Sequence, residues 1–156
     1  MANKIQFGLR NVYYSKITVG AGNVVNYATP VAIPGAVNLN LPASGEKTEF
    51  YADDMAYFIQ WANDGYDGDL EIALIPDSFR TDILGEELDD NGALVENANA
   101  LISDFAMMFE FQGDEKARRH VLYNCNCSRP DIAGRTKEKK IDPQTAGLKI
   151  KASPAV

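Results

Sequence analysis

The chain has 156 residues, 46% of them apolar and 24% charged, which fits one ordinary globular domain with volume for a single core. A formal net charge of -7 argues against a general DNA-binding protein, because phosphate contacts dominate that affinity. No stretch is apolar for long enough to span a bilayer, and Met1-Ala2-Asn3-Lys4 opens no signal core.

Period-two alternation dominates the pattern. Ile5, Phe7 and Leu9 share one side of an opening strand. Residues 11–28 read as a hairpin around Gly20-Ala21-Gly22-Asn23. Residues 41–49 (LPASGEKTE) read as a polar loop. Asp53 and Asp54 stand at the start of the next strand, where Tyr57, Ile59 and Trp61 alternate with Phe58, Gln60 and Ala62. Asp64 and Asp67 flank glycines in a turn, and Leu70, Ile72 and Leu74 then alternate with Asp69, Glu71 and Ala73. Residues 76–84 predict one short helix, with Pro76 and Asp77 at its start, Gly85 at its end, and Phe79 and Ile83 on one face. Phe105, Met107, Phe109 and Phe111 form a further run, opposite Ala106, Met108 and Glu110. Val121, Tyr123, Cys125 and Cys127 share the next face, and Leu148, Ile150 and Ala152 the last. Residues 129–147 are a long basic loop punctuated by Pro and Gly. The sum is a mainly β domain over 1–156, sandwich- or barrel-like, with one short helix.

Catalytic patterns are few. The acids between Asp53 and Glu71 lack the ligand ladder of an EF-hand, as do Asp89-Asp90-Asn91-Gly92. A carboxylate pair drawn from distant strands remains a hydrolase alternative, testable by substituting Asp53, Asp54, Asp67 and Asp69 singly. Turn aspartates and solvated strand faces explain the same residues. The single histidine, His120, has no evident nucleophile partner, and Cys125-x-Cys127 supplies too few ligands for zinc. No nucleotide-binding or hydrolase motif is present. The reading is therefore no enzyme, no cofactor and no metal.

Charge is polarised along the chain. Residues 1–115 carry 19 acids against 5 Lys and Arg, and residues 116–156 carry 3 against 10. Opposite signs either meet within one fold or let identical copies stack.

Several stretches taken together resemble one family. They are "NKIQFGLRNVYY", "PVAIPGAVNLNL", "FYADD", "NDGYDGDLEIALIPDSFRTDILGEELDDNGALVEN", "FAMMFEFQGD" and "RRHVLYNCNCSRP". In this order they resemble the major tail proteins of bacteriophages and prophages with long, non-contractile tails, especially those of Gram-positive hosts. The resemblance covers nearly the whole chain, and "GDLEIALIPDSFRTDILGE" is its most specific part. It implies two packed β-sheets with a flanking helix, and six copies per ring stacked into a hollow tail tube. It implies assembly in the bacterial host cytoplasm around a tape-measure protein, between tail-tip and terminator proteins. DNA then passes through the lumen without specific binding. With the chain stopping at Val156, no extra C-terminal domain is expected.

In that role, unpaired strand edges and irregular loops are the expected contacts between copies. The candidate inter-subunit residues are Pro42, Glu46, Lys47, Arg135, Lys137, Lys139 and Lys140. Glu71 and Glu110 are the candidates for an acidic lumen that repels phosphate. The alternative is a β-sandwich module that binds a receptor or glycan through exposed aromatics such as Tyr13, Tyr14, Tyr27 and Tyr51.

Overall fold

The computed structural model describes residues 7–139 and 144–154. Its strands are β1 (Leu9–Val19), β2 (Val25–Tyr27), β3 (Val31–Ala32), β4 (Ala36–Asn40), β5 (Ala43–Ser44), β6 (Lys47–Ala52) and β7 (Met55–Trp61). Then follow β8 (Gly65–Ile72), helix α1 (Asp77–Asp82), β9 (Glu87–Leu88), β10 (Leu94–Val95), β11 (Phe105–Phe111), β12 (Arg119–Cys127) and β13 (Ala146–Ala152). One nine-stranded sheet runs β2-β1-β11-β12-β13-β8-β4, with β3 also on β1 and β5 also on β8; β6-β7 and β9-β10 are separate pairs. The molecule is mainly β with one short helix, as the alternation predicts.

Residues 31–40 tie the two ends of the large sheet together. β3 pairs with β1 at Tyr13 and Tyr14, and after the three residues 33–35 the chain pairs with β8 as β4. In between, Ile33 N–H donates to the Val12 carbonyl at 2.7 Å, and Ala73 N–H donates to the Gly35 carbonyl at 2.8 Å. So short a bridge forces the sheet to curl. The two packed layers expected from the resemblance are one sheet wrapped back on itself.

The inside of this wrap is the core. Val12 and Tyr14 of β1, Leu70 and Ile72 of β8, Phe105 and Met107 of β11, and Leu148 and Ile150 of β13 meet in one buried cluster. Their spacing by two residues is what puts them on one face. Each such side chain stabilises the fold by about 1.5–3 kcal/mol through burial. Helix α1 adds Phe79 to this cluster, with Ile83 just after it. The Phe79 ring meets Tyr14 edge-on at 5.1 Å and Phe105 at 5.5 Å. Tyr14 O–H also donates to the Asp82 carboxylate at 3.1 Å, fastening the helix to β1. The helix ends at Asp82, with Ile83 capping it through an N–H bond to the Phe79 carbonyl; just beyond, Gly85 has a φ of 74°, which suits a residue without Cβ, and Glu86 N–H returns to the Arg80 carbonyl at 3.1 Å.

Several local expectations change. Ile5 lies outside the described residues, and Phe7 is exposed ahead of β1. Residues 41–49 are not one loop: β5 and the first half of β6 lie there, because pairing with β8 and β7 overrides the polar composition. Asp53 and Asp54 do not begin a strand. They form the two-residue turn of the β6–β7 hairpin, with φ of 52° and 57°, a left-handed pair that aspartate tolerates. Asp67 lies within β8 rather than in a turn.

β12 does not keep one face throughout. Phe105 and Met107 are two residues apart on β11, but their partners Cys125 and Leu122 are three apart, so β12 bulges between them. The bulge exchanges the faces. Cys125 and Cys127 are buried, whereas Val121 and Tyr123 are exposed, and Leu122 instead packs against the core.

Candidate assembly surface

The β6–β7 hairpin stands apart from the core. Its register runs from Lys47 opposite Trp61 to Ala52 opposite Met55. Phe50, Tyr51, Met55, Tyr57, Phe58, Ile59 and Trp61 are all exposed, Tyr57 to 73% and Trp61 to 70%. A lone two-stranded hairpin is marginally stable in water, and a contiguous apolar surface of this kind marks an interaction site. Within the hairpin, the Lys47 ammonium lies 5.7 Å from the centre of the Trp61 ring. Lys47 also pairs with Glu49, to which Tyr51 O–H donates, and these two partners lower the Glu49 pKa.

The hairpin's base is fixed to the body. Ala62 N–H donates to the Glu46 carbonyl and Asp64 N–H to the Ser44 carbonyl, each at 2.9 Å. Gly65 then turns the chain into β8 with φ of 94°, and a Cβ there would lie 1.9 Å from the Ala152 carbonyl oxygen. Only glycine allows this approach.

The sequence-derived contact residues fall into two groups. Glu46 and Lys47 sit at the hairpin base, near the exposed Pro42, whose carbonyl accepts from Asp67 N–H at 3.1 Å. Arg135, Lys137 and Lys139 are exposed on an irregular segment, and Lys140 lies outside the described residues. At the start of that segment Arg129 reaches Glu96 of the same chain at 3.6 Å. The two signs of charge therefore meet partly within one fold.

The two lumen candidates differ. Glu71 is half-buried on the outer face of β8 and accepts from Thr145 Oγ1 at 2.6 Å. It shares that face with Asp69 and Asp67, which lie directly opposite Lys149 and Lys151 of β13. The face is mixed in charge rather than purely acidic. Glu110 is not available as a wall charge: it is 6% exposed, accepts from Arg10 Nε at 3.0 Å and from Asn11, and has Arg119 at 3.9 Å. It lines a cavity of about 490 Å³ together with Tyr13, Pro30, Met108 and Val121. Its hydrogen-bond donors Arg10 and Asn11 come from β1, about a hundred positions away.

The acidic stretch does not converge. Asp53 and Asp54 are at the hairpin tip, whereas Asp67, Asp69 and Glu71 lie along β8. Among the described residues no group of three or more His, Cys, Asp or Glu is placed to hold a metal, and no helix is long and apolar enough to cross a membrane. His120 stacks on Phe109 at 5.2 Å and meets Phe111 edge-on, with Nε2 buried and without a hydrogen-bond partner. Burial pushes both thiols up to about 12, so Cys125 and Cys127 are poor nucleophiles.

Of the four tyrosines proposed for a binding face, Tyr14 is buried, while Tyr13, Tyr27 and Tyr51 are exposed. Exposure of the whole hairpin escaped the sequence reading. Its signal was the presence of large apolar residues at both odd and even positions from Met55 to Trp61. Such a strand is built for cover on both faces. Comparison with protein-family models, curated proteins and solved structures returns no match.

Proposed function

We propose that this chain is a structural self-assembly protein, the subunit of a phage tail tube, with six copies per ring and rings stacked into a conduit for DNA. The observation that carries this reading is the hairpin of residues 47–61, whose aromatic residues are exposed and find no core among the described residues. The ordered stretches quoted above supply the family. A hollow tube needs one contact that closes a ring and another that repeats head to tail along the axis. The exposed basic segment at 135–139 offers a second, electrostatic contact that fixes polarity between rings. Glu71 is the acid that remains for the lumen wall. The chain's work in this reading is cohesion, with no catalytic step.

Electron microscopy of the purified protein at high concentration, alone and seeded with tail tips, tests this. Rings or tubes of uniform width are the expected result. A chain that stays monomeric with tips present overturns it.

The exposed Tyr51, Tyr57 and Trp61 favour a second reading, a glycan- or receptor-binding module, because sugars stack on such rings. In that case serine at these positions abolishes adhesion to the host surface, and no assembly exists to be lost.

A further inference from the structure

On β11, Met107 belongs to the core, so Met108 and Glu110 stand on the opposite face. The register makes two rows there. Tyr13, Met108 and Val121 face one another across β1, β11 and β12, and so do Arg10, Glu110 and Arg119. Along β11 the rows are two residues, about 6.5 Å, apart. β1 bulges between Arg10 and Tyr13, where Asn11 holds φ of 52° and donates its side-chain N–H to Glu110. The cavity of about 490 Å³ is lined from both rows, by Tyr13, Met108 and Val121 and by Glu110 and Arg119. That volume is in the range of small-molecule sites. No residue of the β6–β7 hairpin lines it.

The charged row has bonding capacity to spare. Glu110 is 6% exposed, and its Oε1 accepts from both Arg10 and Asn11. Arg119 Nε lies 3.9 Å from Oε2, beyond hydrogen-bond reach, and the Arg119 side chain is 84% exposed. An acceptor oxygen and a guanidinium donor thus stand side by side, each open to a third group, next to an apolar row that includes one aromatic ring.

This pattern selects by elimination. An anion meets the Glu110 carboxylate, and a cation meets Arg10 and Arg119. A wholly apolar ligand strips water from Oε2 and returns no hydrogen bond. A neutral molecule with adjacent hydroxyls and one apolar face has none of these faults. We propose that this cavity is a saccharide site. The sugar ring lays its C–H face on Tyr13, Met108 and Val121. One hydroxyl donates to Glu110 Oε2, and the oxygen of its neighbour accepts from Arg119. Buried Glu110 is held in place by Arg10 and Asn11, so the acceptor is positioned before the ligand arrives. The site is independent of the self-assembly reading, and it differs from the hairpin rings of the second reading.

Saturation-transfer difference NMR tests this, since it observes the ligand whether the protein is monomeric or assembled. The probes are glucose, galactose, mannose, N-acetylglucosamine and N-acetylgalactosamine at about 10 mM, above the millimolar dissociation constants of weak binding. Each is offered as the free sugar and as its methyl glycoside. At least one sugar is expected to give a signal. Acceptance of the glycoside marks the end of a glycan chain as the source, and its rejection marks a free sugar; either supports the site. Arg119→Ala removes the donor, and Val121→Trp fills the cavity from an exposed position. Both are expected to weaken binding about tenfold or more, whereas Trp61→Ser leaves it unchanged. Urea unfolding checks that each variant folds, and Arg119→Ala decides alone if Val121→Trp does not. Absence of signal from every probe overturns the proposal, as does undiminished signal in either folded cavity variant. A signal that survives those variants and vanishes with Trp61→Ser places the sugar on the hairpin, which overturns the cavity site and favours the second reading. Sedimentation of the same samples reports self-assembly separately, so the two readings fail independently.

Discussion

The wrapped sheet and the β6–β7 hairpin are made of the same residue types and have opposite surroundings. In the body, Tyr14, Phe79 and Phe105 bury their rings against one another. In the hairpin, Tyr51, Phe58 and Trp61 face outward. Apolar content thus says that a segment is to be covered, and does not say by which chain. A monomer that keeps its aromatics outside bears an aggregation liability, unless the exposed surface is meant for its own copies.

The largest way to break this contrast is within the body. Phe79→Ala removes a ring shared by α1, β1 and β11, and it is expected to cost about 3–5 kcal/mol of unfolding free energy in urea titration. A loss below 1 kcal/mol would mean that the helix is not part of the core.

A second test uses the buried thiols. Cys125 and Cys127 have their pKa raised by burial from an ordinary 9.0 to about 12. The unfolded chain therefore releases these protons first. Their contribution is complete below pH 9 and is lost as pH rises from about 9 to 12. The slope is up to about 1.4 kcal/mol per pH unit for each thiol. Urea titrations across this range are expected to show the decline in the native chain and a flatter one in Cys125→Ala/Cys127→Ala.

Much of the body was legible because burial there follows local periodicity. β13 alternates from Leu148 to Ala152 as read, though it starts two residues earlier at Ala146, and residues 76–84 contain α1 with Phe79 and Ile83 inside. What failed was decided at long range. The bulge that turns Val121 and Tyr123 outward is set by the register with β11. The strand at residues 47–52 exists because β7 pairs with it. Glu110 looked like a solvated strand acid because its partners Arg10 and Asn11 belong to a strand at the other end of the chain. Of the assembly surface, composition showed two apolar faces, and only the fold shows them uncovered.

Two smaller effects sharpen the boundary between rigid body and connections. Glu110→Ala leaves Arg10 and Asn11 without their shared acceptor, at a cost of about 1–3 kcal/mol measured by thermal or urea unfolding. Ala117, in the turn before β12, holds φ of 49° while its N–H donates to the Asp114 carbonyl at 3.0 Å. Glycine relieves that strain, so Ala117→Gly is expected to stabilise by about 0.5–1 kcal/mol.

The smallest effect on the monomer carries the most weight for function. Tyr57→Ser and Trp61→Ser replace side chains that are 73% and 70% exposed and belong to no buried cluster. Changes on such a surface move stability by about 0.5 kcal/mol or less, so the urea midpoint of the body is expected to stay in place. Sedimentation is expected to change completely, with rings or tubes replaced by monomers, because the hairpin has lost the surface that a second copy covers. If both variants assemble normally, the hairpin is not the adhesive element, and the exposed rings need another occupant. If instead the monomer unfolds, the hairpin belongs to the body after all, and the contrast between the two regions disappears.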